Sequence, residues 1–138
     1  MKKSTLIFLT AFGVMLGSTG VYATTAFSGV SLSLHRTDYV CSTVMKTTGT
    51  DSSGFVYFKL GSSKCEAATT AIWVKYVNDG NVATKYLYLQ NNKSNWDKSQ
   101  EIDYLEDYVT VKGNMQLMAR TASEHSGYAI SGQWNPNV

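Results

Sequence analysis

Proline occurs once in the 138-residue chain, at Pro136, and cysteine twice, which excludes a polyproline, collagen-like or cysteine-dense scaffold. Charge is also scarce. Charged residues make up 16% of the sequence, below the roughly 25% of ordinary soluble domains. Lys46, Lys59, Lys64, Lys75, Lys85, Lys93, Lys98 and Lys112 are dispersed singly. No basic stripe therefore gathers phosphate charge, and nucleic acid is not an expected partner. Beyond the N-terminal region no apolar run approaches the 18 or so residues of a membrane-spanning helix, so no transmembrane segment is expected. The motifs of hydrolytic and metal chemistry are missing as well: there is no G-x-S-x-G, no H-E-x-x-H, no paired Cys/His spacing and no Gly-rich phosphate loop. His35 stands beside Arg36, and His125 lies between Glu124 and Ser126, which as sequence neighbours point apart. No catalytic residue and no cofactor is expected.

What is present begins with an export signal. Met1-Lys2-Lys3 supplies a short positive start, and residues 6–16 (LIFLTAFGVML) an apolar stretch too short to remain in a bilayer. Gly17-Ser18-Thr19-Gly20 interrupts it, and Val21-Tyr22-Ala23 places small residues where a signal peptidase reads them. Cleavage is expected after Ala23, with Ala26 as the alternative. Residues 1–23 are thus the signal peptide, and 24–138 one domain released outside the cell. Loss of Lys2 and Lys3 reduces twelve basic residues to ten, equal to the ten acidic ones. A near-neutral product is a poor cationic membrane disruptor, because attraction to anionic lipid needs an excess of Lys and Arg.

Cys41 and Cys65 both fall in the exported part, where an even pair is expected to form a disulfide. Closing a loop of about 25 residues would restrict the unfolded chain by about 3.5 kcal/mol. A catalytic thiol and half of a metal site are the competing readings.

Strand signals dominate the rest. Residues 27–34 alternate apolar and small polar side chains at Val30, Leu32 and Leu34. Residues 40–47 form a β-branched run that ends in a loop-like Thr48–Gly54 stretch, and residues 55–60 resume as a strand. Residues 69–77 (TTAIWVKYV) form the richest β segment, and Asn78-Asp79-Gly80-Asn81 turns it into a second run over 82–90 as a hairpin. Residues 96–105 have room for one helical turn; strand character returns at 108–111, 115–121 and 128–134. About seven short strands with turn signals every 8–12 residues predict an all-β antiparallel sandwich, with a closed β-barrel as the alternative.

Two groups of side chains are candidates for a site. Tyr86 and Tyr88 share one face of their strand, opposite Leu87 and Leu89. Together with Tyr57 they would make a flat aromatic face for sugar rings or a partner, and Trp96, in a polar loop, is a further candidate ligand contact. The acidic group Asp97, Glu101, Asp103, Glu106 and Asp107 offers oxygen ligands at short spacing, with Asp97, Glu101 and Asp103 the candidates for Ca²⁺. Its spacing is not that of an EF-hand, and a solvated acidic loop is the preferred reading. Trp134 shares parity with Tyr128, Ile130 and Gly132, which predicts a core residue on the last strand.

The order of export signal, Ile72-Trp73-Val74, Met115-Gln116-Leu117-Met118-Ala119-Arg120 and a terminal Tyr128-Ala129-Ile130-Ser131-Gly132-Gln133-Trp134 resembles an uncharacterised family of small exported proteins of Gram-positive bacteria, whose members end in a similar Tyr-x-x-Ser-Gly-x-Trp strand. In this chain Asn135-Pro136-Asn137 follows, where acidic residues are common in that family. The resemblance implies compartment and fold and carries no active site. The function expected is that of a secreted, non-enzymatic binding module for a cell-wall glycan or a protein at the cell surface. A bacteriocin-like antagonist is the alternative, and an extracellular hydrolase ranks last.

Overall fold

A computed structural model describes residues 25–34, 36–50, 52–60, 68–91, 99–124 and 127–137, with 55–60 described by backbone alone. The expected signal peptide, Cys65, Trp96, Asp97, His35 and His125 lie outside the described residues. Eight strands follow one another: β1 (Thr25–Leu32), β2 (Tyr39–Lys46), β3 (Ser53–Leu60), β4 (Thr69–Tyr76), β5 (Leu87–Gln90), β6 (Ser99–Asp103), β7 (Gly113–Thr121) and β8 (Tyr128–Asn135), with one short helix, α1 (Glu106–Val109), between β6 and β7. They form two antiparallel four-stranded sheets of order β1-β8-β3-β6 and β2-β7-β4-β5. Neither sheet closes on itself, so the architecture is sandwich-like and the barrel alternative is not adopted.

One core lies between the sheets. β1 and β8 contribute Phe27, Leu32, Tyr128, Ile130 and Trp134, while β4, β5 and β7 contribute Ile72, Val74, Leu89, Met115, Leu117 and Ala119. The period-two alternation of β8 puts Tyr128, Ile130 and Trp134 inside, and Trp134 is 1% exposed, as its parity predicts. In β1 the alternation needs a correction of phase. The pairing register slips between Phe27 and Val30, where Gly29 adopts φ +63°, a conformation that glycine reaches without a Cβ penalty. The inserted residue lets Phe27 share the inner face with Val30 and Leu32, while Leu34, beyond the strand end, is exposed.

Three local expectations are overturned. Residues 99–103 are a strand rather than part of a helical turn, because β6 completes the open edge of β3 from Ser53↔Asp103 to Tyr57↔Ser99. The helix comes later, at Glu106–Val109, where strand character was expected. Among the described residues the segment has no strand partner, and Tyr108 and Val109 pack on the core from a single turn. Strand β3 also begins at Ser53, inside the loop-like stretch, because backbone pairing with β6 outweighs weak local propensity.

The 78–80 hairpin holds. Gly80 at φ +75° donates its N–H to the Tyr76 carbonyl at 2.9 Å, and the Asp79 carboxylate accepts the Asn81 N–H at 2.8 Å. Its returning arm then departs from a simple ladder. Val82 pairs with Lys75, but Thr84 pairs with Tyr104 and the Lys85 N–H donates to the Asp103 carbonyl at 2.9 Å, so the chain crosses to the β6 side of the other sheet before rejoining as β5. The buried Thr84 hydroxyl accepts the Val74 N–H at 2.9 Å, satisfying a donor that the detour would otherwise strand.

Of the singly dispersed lysines, Lys46 points inward. It is fully buried, and its ammonium donates to the carbonyls of Thr48 (2.7 Å), Val109 (2.7 Å) and Val111 (3.1 Å) beneath the Tyr104 ring, 4.9 Å from the centroid. The lysine satisfies these three carbonyls, two of which, those of Val109 and Val111, belong to the short helix and the turn after it. Nearby, the Asn137 side chain accepts the Thr47 N–H at 2.7 Å and donates to the Met45 carbonyl at 3.2 Å, while the Tyr104 hydroxyl donates to the Pro136 carbonyl at 2.9 Å. The Asn-Pro-Asn tail thereby ties the end of β8 to the end of β2 in the opposite sheet.

Candidate ligand-binding face

The outer face of the second sheet carries the candidate site. Register aligns Val40 of β2, Met118 of β7 and Trp73 of β4 in one row. In a neighbouring row Ala71 of β4 stands between Arg120 of β7 and Tyr88 of β5. β4 is an interior strand with apolar residues on both faces: Ile72 and Val74 enter the core, while Ala71, Trp73 and Met118 form a second small cluster outside, with Val82 packed on it. The detour before β5 brings Tyr86 onto the same surface. Its ring lies 5.0 Å from that of Trp73 and 6.2 Å from that of Tyr88, the two tyrosines nearly parallel at 23°. Trp73 is 2% exposed, whereas Tyr86 and Tyr88 are 39% and 58% exposed. The tryptophan is therefore a buried base and the tyrosines are the accessible surface.

Arg120 completes the row. Its guanidinium lies 5.3 Å from the Trp73 ring centroid and 5.6 Å from that of Tyr86, a stacked arrangement that limits the rotamers of a long side chain. Asp38, from the β1–β2 turn, approaches it at 3.7 Å, an ion-pair distance longer than a hydrogen bond. A depression lies beside Arg120 and Tyr88. It is an open concavity of about 330 Å³ lined by Arg36, Tyr88, Arg120, Thr121 and Ala122. Arg36 stands in the same turn as Asp38, at φ +58°, a left-handed conformation that costs a residue with a Cβ about 1 kcal/mol. Among the described residues Arg36 has no ion pair or hydrogen bond, and it and Arg120 are the two arginines of the sequence.

The expected residues are thus partly brought together. Tyr86 and Tyr88 share one exposed face as their parity predicts. Tyr57 does not join them: β3 belongs to the other sheet, where Tyr57 pairs with Ser99 and Gln133, so a three-tyrosine face is excluded by topology. The acidic group is dispersed among protein partners. Glu101 accepts a 2.6 Å hydrogen bond from the Ser53 hydroxyl, and Asp103 pairs with Lys85 at 3.0 Å. Glu106 and Asp107 occupy the first turn of α1, and among the described residues no three His, Cys, Asp or Glu side chains converge as a metal site.

Sequence reasoning missed Arg36, Asp38 and Arg120. The outward parity of Gln116, Met118 and Arg120, opposite Met115, Leu117 and Ala119, carried a readable signal for Arg120. Arg36 had none, because its place depends on how the β1–β2 turn folds over the end of β7.

Cys41 sits at the β2 register slip between Val40 and Ser42 and packs against the core. Burial pushes its thiol up to about 12 from an ordinary 9.0, so at neutral pH it is a protonated, weak nucleophile. At the far end of the molecule, Asp79 is held below the usual carboxylate range by the Asn81 N–H and then by the Tyr108 hydroxyl, which donates at 2.7 Å. Both residues serve the hairpin turn.

No family model, curated protein or solved structure matches the chain.

Proposed function

We propose that the protein is a secreted, non-enzymatic binding module that recognises glycan at the cell surface through Tyr86, Tyr88 and Arg120. The observation carrying this reading is the pair of exposed, nearly parallel tyrosine rings set on a buried Trp73 with a guanidinium stacked alongside. Aromatic faces fixed on a rigid strand present apolar area at little entropic cost, and the apolar face of a sugar ring stacks on such a surface. Export supports the same reading. Cleavage after Ala23 leaves β1, which starts at Thr25, whole, and the protein would belong with the small exported proteins that its terminal strand resembles. A Cys41–Cys65 disulfide is part of the proposal, and the raised thiol pKa of Cys41 favours this structural role over a catalytic one.

The experiment is retention of the mature protein on insoluble cell-wall polysaccharide. Tyr88→Ala is expected to lower retention about fivefold with an unchanged melting temperature, since stacking on one aromatic ring contributes on the order of 1 kcal/mol. Retention of Tyr88→Ala equal to wild type overturns the reading.

A further inference from the structure

Resting on that reading, the geometry points to a carboxylated pyranose, an acidic sugar residue, as the ligand of the Arg36–Tyr88–Arg120 concavity. Three features converge. The depression of about 330 Å³ lies at the small end of ligand pockets, roughly 300–1,000 Å³, with room for one sugar ring. Tyr88 supplies an exposed ring at its wall for the apolar face of that sugar. Two guanidiniums line the same space with unspent donors: among the described residues Arg36 has no ion pair or hydrogen bond, and Arg120, besides its aromatic contacts, has only the 3.7 Å approach of Asp38. A guanidinium offers five N–H groups in a planar fork that matches a carboxylate bidentately.

Charge selects within the anions. Arg36 and Arg120 carry two positive charges and Asp38 removes one, leaving a complement for a monoanion, whereas a phosphate dianion meets the Asp38 carboxylate as well. A phosphodiester is also a monoanion, but its polyol chains lack the ring that Tyr88 is placed to stack on. Arg120, braced over Trp73 and Tyr86, would hold the carboxylate in register with the stacked sugar, and Arg36 would close on it from the turn.

Calorimetric titration of the mature protein with a hexuronic-acid oligosaccharide, its carboxyl methyl ester, a neutral gluco-oligosaccharide and a glycerol-phosphate polymer tests the assignment. The hexuronate is expected to bind at least about tenfold more tightly than the methyl ester or the neutral sugar. Arg36→Ala, which removes an exposed side chain with no ion pair or hydrogen bond among the described residues, should keep the melting temperature and erase that preference, and Arg36→Lys should restore only part of it. Equal binding of acid, ester and neutral sugar, all lost in Tyr88→Ala, overturns the carboxylate assignment while the aromatic-face reading stands. Binding of the phosphate polymer with the same Arg36 dependence and no Tyr88 dependence overturns the sugar ring. Affinity for none of these sugars overturns the inference, and sugar binding indifferent to Tyr88→Ala overturns the reading beneath it.

Discussion

Lys46 and Arg120 are both cations set over aromatic rings at about the same distance, 4.9 Å from Tyr104 and 5.3 Å from Trp73, yet their surroundings give them different work. Lys46 is fully buried, and three carbonyls take up its ammonium donors within 3.1 Å. Arg120 is partly exposed, and its guanidinium meets one carboxylate at 3.7 Å. A buried charge must be saturated by the protein, so it is committed to the fold. A charge held in place by stacking but left with free donors at the surface is committed to nothing internal. It can bind a ligand without first breaking a structural bond. Rigidity with unspent valence separates a site from a brace, and both regions contain an aromatic and a cation.

Several substitutions break or sharpen that contrast. Lys46→Met should be the most damaging at the saturated cation, because it removes the buried ammonium that the part-buried carbonyls of Thr48, Val109 and Val111 share; a loss of about 3–5 kcal/mol by urea denaturation is expected. Trp134→Ala should reach a similar size, about 3–5 kcal/mol, through the cavity left in the core near the end of β8. If Lys46→Met instead melts like wild type, the buried lysine is not the brace described. Next comes Asn137→Ala, which removes the acceptor of the Thr47 N–H and the donor to the Met45 carbonyl and should cost about 1–2 kcal/mol in the same assay.

The Cys41 thiol gives a pH test. Its folded pKa is raised to about 12 from 9.0, so the neutral form is favoured in the fold. In reduced protein that contribution is complete below about 9 and is lost as pH rises from 9 toward 12. The alkaline fall in stability should therefore be steeper in the reduced wild type than in Cys41→Ala. A disulfide-bonded protein should show no such excess slope, so comparing protein with and without reductant also reports the covalent state. The smallest effect on stability is expected at the open cation. Arg120→Ala gives up an exposed stack and a long ion pair, about 1 kcal/mol or less in thermal melts, while its effect on retention by polysaccharide should be large. A strong loss of stability in Arg120→Ala would make it a second brace and dissolve the contrast.

Most of the strand pattern was legible. β4 and β8 announce themselves by length, β-branched and aromatic content and parity, and the Asp79-Gly80 turn by its need for positive φ. β6 and the start of β3 were not, since Ser53-Gly54 and Ser99-Gln100-Glu101 have little intrinsic strand preference and are held by backbone pairing, the first with Ile102-Asp103 and the second with Phe55–Tyr57. In the candidate site the Tyr86–Tyr88 parity was readable, and so was the outward position of Arg120. The exclusion of Tyr57 was not, because parity within a strand says nothing about which sheet the strand joins.

The amino-acid sequence by itself determined what neighbours along the chain can decide. That covers the period-two alternation, the turns that require glycine, the all-β class, and Trp134 on the inward face of the last strand. All of these follow from steric and hydrophobic preferences acting over a few residues. Only the tertiary structure decided which strands share a sheet, that Lys46 is buried under Tyr104, and that the turn carrying Arg36 and Asp38 meets the end of β7 beside Tyr88. Those outcomes depend on burial and hydrogen-bond satisfaction between segments dozens of residues apart, and no local preference encodes such pairings.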